Sequence, residues 1–237
     1  MIRIPADVLA RVYQHAREGY PEEVCGLLIG PRGDARVDLA RPCVNTQNQR
    51  HASDPVAYPR TAREAYLLSD ADTFFVARNQ DGDRPIRIIY HSHIDHGAYF
   101  STTDRAAATF ADEPAYPGME YLVIDVRAGG IGGAKLFGWD EARRDFVVTA
   151  EFAAPVRADR DLDLRGEVCP FTFARTKLAL EEMQPGQVLR VRVDNPDSMR
   201  NVPRSLEAQG QDVISVAELE PGLWEILVER APDGGPY

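Results

Sequence analysis

The run Pro85-Ile-Arg-Ile-Ile-Tyr-His-Ser-His93 constrains this chain more than any other stretch. Its apolar, branched residues read as a buried strand. Strand side chains alternate with period two, so if the strand continues to His93, His91 and His93 point to one face. Beyond a loop, Ser101-Thr-Thr-Asp104 opens an alanine-rich helical run and puts Asp104 in its first turn. Two imidazoles from a strand end and one carboxylate from a helix start make a nitrogen-and-oxygen set. A catalytic zinc takes three such protein ligands and keeps a fourth position for water. Ordinary structural roles compete with this reading. Ser-x-x-Asp is also a capping box, and a His-x-His pair can be two strand histidines. The conjunction of the two is what favours a metal. Asp95 and His96, in the intervening loop, could be ligands instead, but neither continues the strand face.

A hydrolytic zinc site also needs a general base. The upstream stretch Tyr20-Pro-Glu-Glu-Val-Cys-Gly-Leu-Leu-Ile-Gly30 is an apolar strand pattern with Glu22 and Glu23 at its entry. Carboxylates are unwelcome in such strands unless paired or catalytic; the alternative is that both are exposed entry charges. Glu-x-Cys-Gly, then His-x-His, seven residues and Ser-x-x-Asp, resembles the JAMM (MPN+) metalloprotease signature over roughly the first 150 residues. The resemblance implies that Glu23, two residues before Cys25, is the general base. It implies that His91, His93 and Asp104 hold zinc (Zn2+) and that Ser101 helps stabilise an oxyanion. Many members have Pro after the second His, where this chain has Ile94, a change that affects loop rigidity and removes no ligand.

The 237 residues allow one large domain or two small ones, and 44% hydrophobic with 27% charged residues is ordinary for a globular protein. A net charge of −10 argues against nucleic-acid binding. No apolar run reaches membrane-spanning length and the N-terminus lacks a signal peptide's pattern, so a cytoplasmic protein without membrane association is expected. Three cysteines, Cys25, Cys43 and Cys169, suggest free thiols and no disulfide framework.

In chain order, residues 2–4 read as a short strand. Pro5 suits the first turn of an amphipathic helix running to Gly19 through Val8, Leu9, Val12 and Ala16, with His15 exposed on it. The Glu23 strand, a Pro31-Arg-Gly-Asp34 turn and a strand through Val37, Leu39 and Val44 follow, with Cys43 as a small buried hydrophobe. Residues 45–59 read as a polar loop and 62–75 as a helix. Strands are expected at 121–126, 134–139 and 146–152, with Gly129-Gly130 and Gly132-Gly133 as turns outside any phosphate-loop context. Antiparallel strands with flanking helices read as α+β, and by the resemblance as a JAMM/MPN-type mixed sheet over residues 1–152. Residues 153–160 lose periodicity and read as a linker.

Residues 161–232 read as a second domain with the order βαβαββ, a small two-layer α/β sandwich. The expected elements are a strand before Cys169-Pro170, a helix at 173–183, a strand at 188–193, a helix at 196–210, and strands at 213–216 and 223–228. Cys169 falls before a helix's first turn, where the dipole favours thiolate; a buried structural cysteine is the alternative. The text Asp163-Leu-Arg-Gly-x-x-Cys-Pro, with Pro185-Gly186, Asp194-x-Pro196, Gly210 and Trp224, resembles the TusA/SirA-like sulfur-carrier family. That family's cysteine carries a persulfide, and Cys169 matches it. The usual Cys-Pro-x-Pro is here Cys-Pro-Phe-Thr172, which changes the helix start and keeps the thiol. The tail, residues 233–237, holds Gly234-Gly235 and reads as a frayed end rather than a mimic of a carrier terminus.

Together the resemblances imply a peptidase that cuts after the Gly-Gly tail of a ubiquitin-like sulfur-carrier protein, coupled to sulfur transfer through Cys169. A sulfur-donor enzyme such as a cysteine desulfurase is the second expected partner. The alternatives are a non-catalytic MPN adaptor that docks the sulfur domain, and a general deubiquitinase-like isopeptidase.

Overall fold

The computed structural model describes residues 2–128 and 130–232. They form two compact units, Met1–Pro155 and Val156–Tyr237.

The first unit opens with α1 (Ala6–Gly19), whose Val8, Val12, Tyr13 and Ala16 recur at helical spacing and are buried. β1 (Cys25–Ile29), β2 (Leu39–Cys43), α2 (Gln47–Ser53), α3 (Asp70–Arg78) and β3 (Ile86–Ile94) follow. Then come α4 (Thr102–Ala108), a small hairpin of β4 (Thr109–Phe110) and β5 (Glu113–Pro114), and β6 (Glu120–Arg127), β7 (Gly130–Asp140) and β8 (Asp145–Phe152). The six-stranded sheet has the order β2-β1-β3-β6-β7-β8. It is mixed: β3 and β6 run parallel, and every other neighbouring pair is antiparallel. Strand alternation divides its two faces. Leu28, Ile88, Tyr90, Leu122 and Ile124 meet α1, while Leu27, Ile89, Tyr121, Val123 and Phe137 pack with Val76 of α3 and Ala108 of α4. Full burial of each such aliphatic side chain contributes about 1.5–3 kcal/mol. His91 and His93 share the second face, so the same alternation that builds the core aims both imidazoles toward α4.

The second unit runs β9 (Arg160–Asp163), α5 (Phe171–Glu181), β10 (Val188–Val193), α6 (Pro196–Glu207), β11 (Asp212–Glu220) and β12 (Leu223–Glu229). Its four-stranded sheet has the order β11-β12-β10-β9, with β9 and β10 parallel. Leu180 of α5 and Val202 and Leu206 of α6 pack against Leu189, Val191, Ile226 and Val228, giving the two-layer βαβαββ sandwich. Asn195 caps α6, accepting from Asp197 N at 2.9 Å, and Pro196 occupies the first turn, where its missing N–H has no intrahelical partner to lose.

Several local expectations are corrected. Residues 2–4 make only an isolated bridge, Arg3 to Arg36. The polar 45–59 stretch contains α2, and the helix expected at 62–75 begins at Asp70, where Ser69 supplies the cap by accepting from Asp72 N. Glu23 precedes β1 and is not within it. Val44 lies outside β2 and is exposed. Gly130, Gly132 and Gly133 lie inside β7; Gly132 belongs there because a Cβ would come within 2.1 Å of Asp125 Oδ2. His15 is half-buried, its Nδ1 2.9 Å from the Tyr90 hydroxyl. β9 starts at Arg160, one residue before the expected strand, and α6 ends at Glu207. Gly129 and the 233–237 tail lie outside the described residues. Among the described residues no helix is long and apolar enough to cross a membrane.

Candidate active site

β3 carries its two histidines to the end of the sheet. Ile94, where many JAMM sequences have Pro, is buried and simply extends β3 by one residue. The chain then turns at Asp95 (φ 63°) and Gly97 (φ 86°). Asp95 and His96 are exposed, and Asp95 engages the Tyr20 hydroxyl and Arg63. Neither belongs to the cluster that His91, His93 and Asp104 form.

In that cluster the two Nε2 atoms lie 3.2 Å apart. Asp104 places Oδ1 3.3 Å from His91 Nε2 and Oδ2 3.4 Å from His93 Nε2. A tetrahedral zinc bonded at about 2.0–2.1 Å spaces its ligands about 3.3 Å apart, so these donor groups fit such an ion. His93 Nδ1 is 3.3 Å from the Gly97 carbonyl. A proton donated there leaves the Nε2 lone pair facing the cluster. Tyr66 stacks on His91 with ring centroids 4.5 Å apart and fixes the ring plane.

Asp104 is also a cap. Ser101 Oγ accepts from Asp104 N at 3.0 Å, and Asp104 Oδ2 accepts from Ser101 N at 2.8 Å. The structural reading and the metal reading of Ser-x-x-Asp therefore coexist in one carboxylate. Burial alone would push the Asp104 carboxyl up, but hydrogen bonds from His91, His93 and Ser101 hold it well below the usual carboxylate range. Burial pushes His91 down, against the pull of Asp104, so its neutral, ligating form is favoured.

Glu23 reaches the same site through strand register. Cys25 pairs with His91 across β1 and β3, so two residues farther along, on the same face, Glu23 falls level with His93. The pairing continues past β1: Ser92 N donates to Val24 O at 3.0 Å, and Val24 N donates to Ser92 Oγ at 2.9 Å. Glu23 is buried, while Glu22 is exposed. Glu23, Arg60, His93, Ser101 and Asp104 line one pocket. Burial, with the neighbouring Asp104 charge, pushes the Glu23 carboxyl up to about 8 despite the opposing Arg60 charge.

How the pocket's outer wall is held together was not visible in the sequence. Asn45 Nδ2 donates to Glu23 O at 2.8 Å and to Ala65 O at 3.1 Å, while its Oδ1 accepts from Gln47 N and Leu67 N, each at 3.0 Å. One amide thus ties four backbone groups together. Ser92, Asn45 and Tyr66 are the residues the sequence reading missed. The only sequence hint of Ser92 was its place between the two histidines, where alternation sends it to the opposite face.

In the second unit Cys169 is half-buried just before α5. Its Sγ is 3.2 Å from Thr172 Oγ1, which is 3.1 Å from Ser198 Oγ, and both hydroxyl residues are fully buried. The residue that replaces the family's second Pro therefore sets a hydroxyl against the thiol.

The family model for prokaryotic homologues of the JAB domain matches residues 5–128, and the model for sulfurtransferase TusA matches residues 160–230. The chain belongs to the prokaryotic JAB family, with a TusA domain behind it. The JAB domain is 30% identical over 125 residues to a CysO-cysteine peptidase of Mycobacterium bovis, spanning 52% of this chain and 73% of that one. It is 32% identical over 128 residues to a desampylase of Haloferax volcanii, spanning 52% and 78%. The TusA domain is 49% identical over 75 residues to a candidate sulfur carrier protein of Archaeoglobus fulgidus, spanning 32% and 85%.

Proposed function

We propose that the JAB domain is a zinc-dependent peptidase that hydrolyses the bond after the Gly-Gly end of a ubiquitin-like sulfur-carrier protein, and that Cys169 passes sulfur as a persulfide. The cluster of His91, His93 and Asp104, whose His93 and Asp104 line one pocket with the buried Glu23, carries the reading. The names of two relatives, a peptidase of a carrier–cysteine conjugate and a desampylase, support a carrier as substrate. Held by His91, His93 and Asp104, zinc would supply a Lewis acid and lower the pKa of water from about 15.7 to about 7.

The chain's own residues do the rest. Glu23 takes a proton from the attacking water and returns one to the leaving amine. A carboxyl raised to about 8 suits this exchange, because it gains and loses its proton near neutral pH. The Ser101 hydroxyl, already anchored at its oxygen by Asp104 N, turns its proton to the developing oxyanion. A glycine on the acyl side has no Cβ to clash with the pocket walls. At Cys169, a sulfane sulfur passes from a donor persulfide, such as that of a cysteine desulfurase, to Sγ, and the donor thiolate leaves. The Thr172 hydroxyl stands beside the sulfur that receives it.

Glu23→Gln is expected to retain zinc by metal analysis and to lose cleavage of a carrier extended beyond Gly-Gly by about a hundredfold or more. Persisting cleavage would remove Glu23 from the mechanism. Cys169→Ser is expected to spare hydrolysis and abolish transfer of labelled sulfur.

A further inference from the structure

We propose that Arg60 reads the free α-carboxylate of the departing residue, making the JAB site selective for a carrier extended by a single amino acid over an isopeptide-linked lysine. This rests on the peptidase reading above and specifies its substrate class.

The backbone at Arg60 is held in place. Gln47 Nε2 donates to Arg60 O at 2.8 Å, and two residues on, Ala62 N donates to Asn48 Oδ1 at 2.7 Å. Ala62 O in turn accepts from Glu23 N at 2.6 Å. The residue is therefore fixed relative to the general base by a short chain of hydrogen bonds. Its side chain crosses to α4, where Nη1 donates to Thr103 Oγ1 at 2.7 Å, one residue before Asp104. Thr103 also lines the pocket.

A guanidinium has five N–H donors in a planar fork that matches a carboxylate. Among the described residues Thr103 is the one hydrogen-bond partner of the Arg60 side chain, and no carboxylate forms an ion pair with it. Among the described residues Arg60 is also the only arginine or lysine lining the pocket, which holds the carboxyl groups of Glu23, Glu64 and Asp104. Apart from the zinc that His91, His93 and Asp104 would hold, Arg60 is the cationic side chain there that can receive an incoming carboxylate.

Chemistry places that carboxylate close by. Hydrolysis adds water across the bond: hydroxyl joins the glycine carbonyl, and the proton joins the departing nitrogen through Glu23. In an α-amino acid the carboxylate carbon is two bonds from that nitrogen, and Arg60 and Glu23 line the same pocket. In an isopeptide the departing nitrogen is a lysine Nζ, separated by four methylenes from a backbone whose carboxyl is an amide. The fork then has no anion to bind.

The test uses the full-length zinc-loaded protein and one ubiquitin-like carrier ending in Gly-Gly, joined through that end to cysteine, to cysteinamide, or to the Nζ of a lysine peptide. Within each enzyme preparation the ratio of kcat/KM for the free acid to that for the amide is measured, so that loss of folded protein cancels. Wild type is expected to favour the acid about tenfold or more, mainly through KM, as a charge-assisted bidentate pair would give. Arg60→Gln is expected to bring the ratio near one, and Arg60→Lys to restore part of it. An amide or isopeptide cut as well as the acid, or a preference that survives in Arg60→Gln, overturns the assignment. Failure to cut any of the three overturns the peptidase reading itself, and this one with it.

Discussion

Replacing Glu23 by glutamine keeps the side chain's shape and removes its charge, and the outcome for stability follows from the pocket. An exposed glutamate titrates at 4.5, whereas burial and the Asp104 charge raise Glu23 to about 8. The folded state thus holds this proton more tightly than the unfolded state. The stability it contributes is complete below pH 4.5 and is lost as the pH rises through about 8. At 1.36 kcal/mol per pH unit, the charged carboxylate would cost up to about 5 kcal/mol above pH 8 and about 3 at pH 7. Water entering the pocket relieves part of this, so a gain of about 2 kcal/mol is expected for Glu23→Gln in metal-free protein at pH 8. For a domain of this size that is about 4–8 °C in Tm. Thermal unfolding of the JAB domain, within the full chain in a chelator, should show the two proteins close together at pH 5 and the variant ahead at pH 8. A gap that does not widen between those pH values, or a glutamine variant that is the less stable at pH 8, would refute the electrostatic reasoning.

Two other perturbations separate positioning from chemistry. Ser92→Ala removes the acceptor of Val24 N, so it should cost about 1–3 kcal/mol in unfolding free energy and lower kcat more than KM for a carrier substrate by displacing Glu23. Equal effects of Ser92→Ala on KM and on kcat would count against that positioning role. Thr172→Val takes a hydroxyl from beside Cys169 Sγ and should slow alkylation of that thiol by iodoacetamide severalfold at neutral pH; an unchanged or faster rate would show that the hydroxyl does not assist the sulfur.

The parts of the site that could be read from the sequence are those governed by short periods. Alternation along β3 puts His91 and His93 together, and the capping pattern places Asp104 at the start of α4. β10 matches its expected residues because Val188, Leu189, Val191 and Val193 announce a strand packed against helices. The wall between Asn45 and Ser69 has no such period. It is held by amides most of whose backbone partners lie 13 to 22 residues away, and α2 buries only Gln47, so polarity looked like a loop. The helix expected at 62–75 failed for a related reason: residues 62–68 spend their backbone groups on Glu23, Asn45 and Thr46, and helix begins only where Ser69 can cap it. Arg60 could not be singled out among the chain's many arginines until that wall placed it beside Glu23.

One carboxylate, Asp104, both starts α4 and completes the cluster proposed to hold zinc. Any change there alters helix nucleation and ion retention at once, so the two properties cannot drift independently. On the proposed zinc reading, loading the ion should quieten amide exchange along the first turn of α4 and a chelator should loosen it, making a short helix an internal gauge of metal occupancy.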